Sequence, residues 1–161
     1  MVTRSRKGHE VICTLEQLII EVEKLKKAGK KIISTNGCFD ILHRGHVTYL
    51  EAAKKLGDVL IVGINADSRV RGLKGEGRPV NKEQDRAIVL SALKSVDYVF
   101  IFSEETPKEF LAKLKPHIHA KGGDYQAEKL PEYAVMKSFG GEVAIIPFVD
   151  GYSTTGILSR V

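Results

Sequence analysis

Cysteine is scarce in this chain. Two thiols in 161 residues, Cys13 and Cys38, with no C-x-x-C spacing, exclude a disulfide framework and a cysteine-based zinc site, and they fit a reducing compartment. Tryptophan is absent and aromatics make up 7% of the residues. None of them is interleaved with basic side chains as a base-stacking surface would be, which speaks against a nucleic-acid-binding module. No apolar run approaches the length of a membrane span. Residues 1–9 are polar and basic and lack the apolar stretch of a secretory leader. Residues 1–13 are therefore expected to be a flexible start, followed by one domain over 14–161, with no membrane partner and a cytoplasmic location. Internal repeats, low-complexity tracts and linkers are missing as well.

What is present is an ordinary globular composition, 43% hydrophobic and 28% charged, long enough for one domain with a real core. The net charge of +5 suits anionic ligands and also plain solubility. The densest basic run, Lys24 to Lys31, lies at a helix end, where lysines face the negative end of the dipole, so it reads as a solvated terminus.

Strand and helix signals alternate. Thr14-Leu15-Glu16-Gln17 is a capping box opening a helix that Gly29 stops. Ile32–Thr35 reads as a strand and Gly45–Leu56 as a helix. Val59–Asn65 is a nearly continuous apolar run, as a buried parallel strand should be. Residues 66–80, with three glycines and Pro79, read as a mobile loop. Asn81 and Thr106 look like further helix caps, and Pro131 like a helix start. Strands are expected at 96–102, 118–121 and 143–146, with Ser153 capping a last helix. The pattern predicts an α/β, Rossmann-like single domain, with about five mostly parallel strands and helices on both faces. In such sheets ligands lie beyond the carboxyl ends of the strands, where strand order switches.

One motif stands at such an end. His43-Arg44-Gly45-His46 lies where a strand hands over to a helix. A helix start offers unpaired N–H groups and partial positive charge, and two imidazoles add donors, so the place suits polyphosphate. The blander reading is a pair of polar residues at a helix cap, with the glycine easing the turn.

The run TNGCFDILHRGHVTYL (35–50), together with LKGEGRPVN (73–81), the helix carrying Asp85 and Arg86, KGGDY (121–125) and DGYSTTGI (150–157), resembles the H-x-G-H nucleotidyltransferase superfamily. Within it the likeness is to the bacterial heptose-1-phosphate adenylyltransferases, the ADP-heptose synthase domain. It covers nearly the whole chain from Thr14. The first motif is shared across the superfamily, whereas 73–81 and 121–125 are more specific to the heptose branch. Many relatives carry a sugar-kinase domain ahead of this one, so the chain resembles the stand-alone form. The resemblance implies transfer of AMP from ATP to heptose 1-phosphate with Mg²⁺, in precursor synthesis for lipopolysaccharide or other surface glycans, by a homodimer. A cytidylyltransferase of the glycerol-3-phosphate type, or a heptose-phosphate guanylyltransferase, remains open on the same scaffold. So does a basic nucleic-acid-binding module of another class.

Spacing and resemblance together assign candidate residues. His43, His46 and Lys121 would stabilise charge on the transferring phosphate. Thr35, Asn36, Gly37, Phe39 and Asp40 would line the nucleotide phosphates, mainly through backbone N–H groups. Phe39 could instead pack in the core, and Asp40 could either orient its loop or help to hold Mg²⁺. Asp124 and the hydroxyls of Ser153, Thr154 and Thr155 would complete the nucleotide side. Asn65, Asp67, Lys74, Arg78 and Gly123 would face the sugar phosphate, with loop capping and solvated loop cations as the plain alternatives for Asp67, Lys74 and Arg78. Cys38 reads as a small apolar residue. His117 and His119 alternate along one strand. The family more usually has an acidic and an apolar residue there, and with no third ligand near in sequence the two read as an ordinary pair.

Overall fold

The computed structural model describes residues 5–6 and 9–160. Ser5–Arg6 (β1) and His9–Glu10 (β2) form a short antiparallel ladder. The main sheet contains β3 (Ile32–Gly37), β4 (Val59–Asn65), β5 (Tyr98–Phe102), β6 (Ile118–Gly122) and β7 (Glu142–Ile146) in the order β5-β4-β3-β6-β7. Every pairing in it is parallel. All seven residues of β4 are buried, which explains its unbroken apolar run, since helices cover both faces.

The helices divide the core in two. Leu50 and Ala53 of α2 (Arg44–Lys54) and Ala87 and Leu90 of α4 (Glu83–Ser91) pack on one face, against Ile33, Leu60, Val62 and Ile64. Leu18 and Val22 of α1 (Leu15–Lys27), Phe110 and Leu111 of α5 (Lys108–Leu114) and Met136 of α6 (Tyr133–Ser138) pack on the other, against Ile32, Ile61 and Phe100. The alternate side chains of β3 and β4 thus feed opposite cores, as the pleat requires.

Some expectations are met and others corrected. Thr14 caps α1 in a complete capping box, and Ser153 Oγ accepts from Gly156 N to cap α7 (Thr154–Leu158). Within the N-terminal segment read as flexible, Val11, Ile12 and Cys13 are buried. Their backbone exchanges hydrogen bonds with Val99, so these residues run beside β5. The reason is the apolar triplet itself, which covers an otherwise open sheet edge. The stretch read as a loop over 66–80 begins with a helix, α3 (Asp67–Lys74). Glu83, in the first turn of α4, accepts the α3 amide of Asp67 at 2.7 Å. Asn81 is drawn away to Asp40, and Lys82 occupies the cap position of α4 with no side-chain bond. Pro107, not Thr106, occupies the cap position of α5, again with no side-chain bond. A 3₁₀ turn (Ala127–Lys129) precedes α6, which starts at Tyr133.

Candidate active site

Strand order reverses between β3 and β6: the chain builds β3, β4 and β5 outward on one side and then returns to add β6 and β7 on the other. At the carboxyl ends of β3 and β6 a cavity of about 550 Å³ opens, the position expected for a ligand in a parallel α/β sheet.

One wall is the segment from β3 into α2. Asn36, Gly37, Phe39, Asp40, His43 and His46 all line the cavity. The rings of His43 and His46 stack with centroids 3.8 Å apart and planes 22° from parallel. Gly45 makes this possible, because a Cβ there would stand 3.0 Å from the His43 ring and 3.1 Å from Tyr152 Cβ. Burial, then the neighbouring His43, lowers His46 to a pKa of about 4, against the opposing pull of the Ile41 backbone. Burial lowers His43 as well. Both rings are therefore neutral at pH 7, each with one N–H to donate. The Nδ1 atoms of both rings are buried without a hydrogen-bond partner, which is unusual for polar groups at a depth where desolvation is expensive.

Phe39 takes a left-handed backbone angle, φ 46°. It is buried in the core and turns its ring edge-on to His46, 5.2 Å between centroids. Asp40 is buried, and its carboxylate accepts from Arg78 Nε (2.7 Å), Val80 N (2.9 Å) and Asn81 N (2.9 Å). Burial alone would raise its carboxyl, but the two amides and the guanidinium outweigh it and hold Asp40 below its ordinary value. Of the two roles open for Asp40, the geometry displays the orienting one: it latches residues 78–81. Arg78 lines the cavity as part of that latch.

The opposite wall comes from β6 and the C-terminal segment. Lys121 lines it with Nζ 3.1 Å from the buried Glu132 carboxylate. Ser153, Thr154 and Thr155 line it at the start of α7, and Thr154 Oγ1 donates to Ile41 O at 3.2 Å, tying this wall to the first. Lys74, at the end of α3, also reaches the cavity.

Five predicted residues are not on its walls. Thr35 is fully buried, with its hydroxyl 2.6 Å from the Tyr49 hydroxyl, which in turn donates to Ala120 O. Asn65 is buried beneath the site and Asp67 accepts from Arg86 Nη2 at 2.8 Å, and neither lines the cavity. Gly123 is buried with its N–H on Ile146 O, and Asp124 is exposed outside the cavity. Sequence reasoning in turn gave no role to Arg86, Glu132, Tyr49 or Tyr152. The Arg86 side chain is wholly buried. It donates to the backbone oxygens of Cys38, Asn65 and Asn81 and to Asp67, clamping the ends of β3 and β4 to α3 and α4. No local pattern marks Glu132 or Arg86, because their partners lie far away in sequence.

The cavity gathers two neutral imidazoles, lysines and a hydroxyl-rich helix start on its walls, beside the N-terminus of α2, a combination that suits anionic oxygens. Residues 34–160 match the cytidylyltransferase-like family, and the chain belongs to that family of nucleotidyltransferases. It is 55% identical over 144 residues to the bifunctional protein HldE of Pelobacter propionicus, covering 89% of this chain and 29% of that protein. The HldE of Aliarcobacter butzleri is 52% identical over 150 residues, covering 93% of this chain and 31% of the relative. The chain thus spans about a third of the length of these relatives. Among solved structures, the lipopolysaccharide core biosynthesis protein of Thermoplasma volcanium superposes with a TM-score of 0.62 at 32% identity, over 78% of this chain and all of that one. A pantoate-beta-alanine ligase of Francisella tularensis, at 17% identity and TM-score 0.61 over 94% of this chain and 73% of its own, shares the fold.

Proposed function

We propose that the chain transfers AMP from ATP to a heptose 1-phosphate, forming ADP-heptose and pyrophosphate for lipopolysaccharide or related glycan precursors. The observation that carries this reading is the stacked His43–His46 pair at the α2 start, facing Lys121 across the switch in strand order. The likeness to HldE proteins and to a lipopolysaccharide core biosynthesis protein supplies the sugar class.

A sugar-phosphate oxygen attacks the α-phosphorus in line. The bond from that phosphorus to the oxygen bridging it to the β-phosphorus breaks, and pyrophosphate leaves with the electron pair. Such transfer asks the protein for positioning and for charge stabilisation rather than for a covalent partner. His43 and His46 donate N–H bonds to the non-bridging oxygens as charge develops. Lys121 and Lys74 neutralise the phosphates, and the α7 start holds the far end of the nucleotide. Among the described residues no three His, Cys, Asp or Glu side chains converge on a point, and the Asp40 oxygens are taken by protein donors. Mg²⁺ therefore belongs to this reading as the companion of the triphosphate's own oxygens. A homodimer, a cytoplasmic location and the absence of a nucleic-acid partner belong to the same reading, and light scattering checks the first.

The test is pyrophosphate release with ATP, GTP, CTP and UTP against both anomers of heptose 1-phosphate, with glycerol 3-phosphate as control acceptor. Turnover with ATP and a heptose phosphate is expected. Turnover only with CTP and glycerol 3-phosphate reassigns the substrates, and no turnover with any pair by folded protein overturns the reading.

A further inference from the structure

Beneath the cavity floor lies a polar group that the catalytic reading does not use. His119 on β6 is fully buried, with Nδ1 2.8 Å from Ser34 Oγ and Nε2 3.2 Å from Asn36 Oδ1. Glu132, also buried, places Oε1 4.0 Å from the same Nε2, and 3.1 Å from Lys121 Nζ. These five side chains come from β3, β6 and the turn before α6, and both Asn36 and Lys121 line the cavity.

A neutral imidazole has one donor and one acceptor, so only two arrangements fit. In one, Ser34 donates to Nδ1 and Nε2–H donates to Asn36 Oδ1. In the other, Nδ1–H donates to Ser34 and the Asn36 amide, turned over, donates to Nε2. The Glu132 carboxylate decides between them. It stands beside Nε2, where an N–H dipole is attracted and a lone pair is repelled. Burial, with Lys121 close by, pushes the His119 pKa down to about 3, so the doubly protonated ring is not the resting form.

We propose that His119, held as the Nε2–H tautomer by Glu132 and Ser34, fixes the Asn36 carboxamide with its oxygen inward and its NH₂ in the cavity, as a hydrogen-bond donor to an acceptor oxygen of the bound nucleotide. His119 and Glu132 are positioning residues in this scheme, and Glu132 sets Lys121 with its other contact. With the Asn36 oxygen on His119 Nε2, its NH₂ is the end left for the cavity that the residue lines. The inference rests on the cavity being the nucleotide site.

Two independent readouts test it. Long-range ¹H–¹⁵N correlation spectra of labelled, unliganded wild-type protein report the tautomer directly. Nε2–H on His119 is expected, and Nδ1–H overturns the scheme. Calorimetric titration with ATP then separates positioning from plain structure. A Gln amide reaches about as far as Nε2, whereas an Asn amide reaches only as far as Nδ1. His119→Gln should therefore keep ATP affinity within about threefold, while His119→Asn and Asn36→Asp each weaken it about tenfold or more, the size of a lost hydrogen bond to a charged group. Equal weakening by the Gln and Asn variants overturns the positioning role. Failure of wild-type protein to bind any nucleoside triphosphate overturns the nucleotide reading instead, while the tautomer still judges the buried chain.

Discussion

At the scale of single residues, the proposed reaction divides the site into groups that touch the ligand and groups that aim them. His46 belongs to the first. A neutral, buried imidazole costs no reorganisation as charge appears, so His46→Ala should lower turnover by about 10²-fold or more with the fold intact. Near-wild-type kcat in a pyrophosphate-release assay would remove it from the mechanism. Lys74 is exposed where it enters the cavity, and in the proposed reaction it serves substrate binding. Lys74→Ala should raise KM about tenfold and leave kcat nearly unchanged, as loss of uniform binding does. Steady-state kinetics with the sugar phosphate varied checks this. The histidine pair was legible in the sequence because its signal is local, four residues at a strand-to-helix junction. Asp67 and Asn65, placed at the sugar phosphate from the sequence, lie off the cavity wall, and nothing in their own neighbourhood announces Arg86, 19 and 21 residues further along. A carboxylate at a strand end looks the same whether it meets a sugar or a guanidinium.

At the scale of elements, Arg86 does the joining. Its guanidinium satisfies three backbone oxygens and one carboxylate, so α4 carries the fastening for the loops that leave β3 and β4. Arg86→Met strands those acceptors in a desolvated place, and a loss of roughly 3 kcal/mol or more is expected. Urea denaturation measures it, and a loss under about 1 kcal/mol would show that water replaces the guanidinium freely. Six of the seven helices and all five main strands were legible, since apolar period and glycine stops are written along the chain. The cap read at 81 failed because a capping motif states a capacity, and tertiary partners decide where it is spent. Asn81 goes to Asp40, Glu83 to α3. The helix α3 escaped notice because a single buried residue, Val70, anchors it among charged and glycine neighbours.

At the scale of the whole molecule, its histidines make acid a stress. His46 is pulled down to about 4 and His119 to about 3, while in the unfolded chain both sit near their free value of about 6.5. Between these limits the unfolded chain holds more protons, so stability falls as pH falls, by up to about 1.4 kcal/mol per pH unit for each imidazole. Denaturation midpoints should drop steadily from pH 7 to pH 4, and a flat profile would contradict the burial of these rings. The fold class was readable from alternation alone, but which strands flank β3 was not, since strand order is a property of crossovers rather than of any segment. That order has a consequence for how the molecule comes into being. Ser34 meets His119 85 positions later, and Ile41 meets Thr154 113 positions later. A ribosome must therefore release the segment through Thr154 before the cavity has a second wall. Until then the β3 edge awaiting β6 stays unpaired, with Ile32 and Ile33 open to any other strand that passes. The interval between synthesis of β3 and arrival of β6 is when this protein is most at risk from its neighbours.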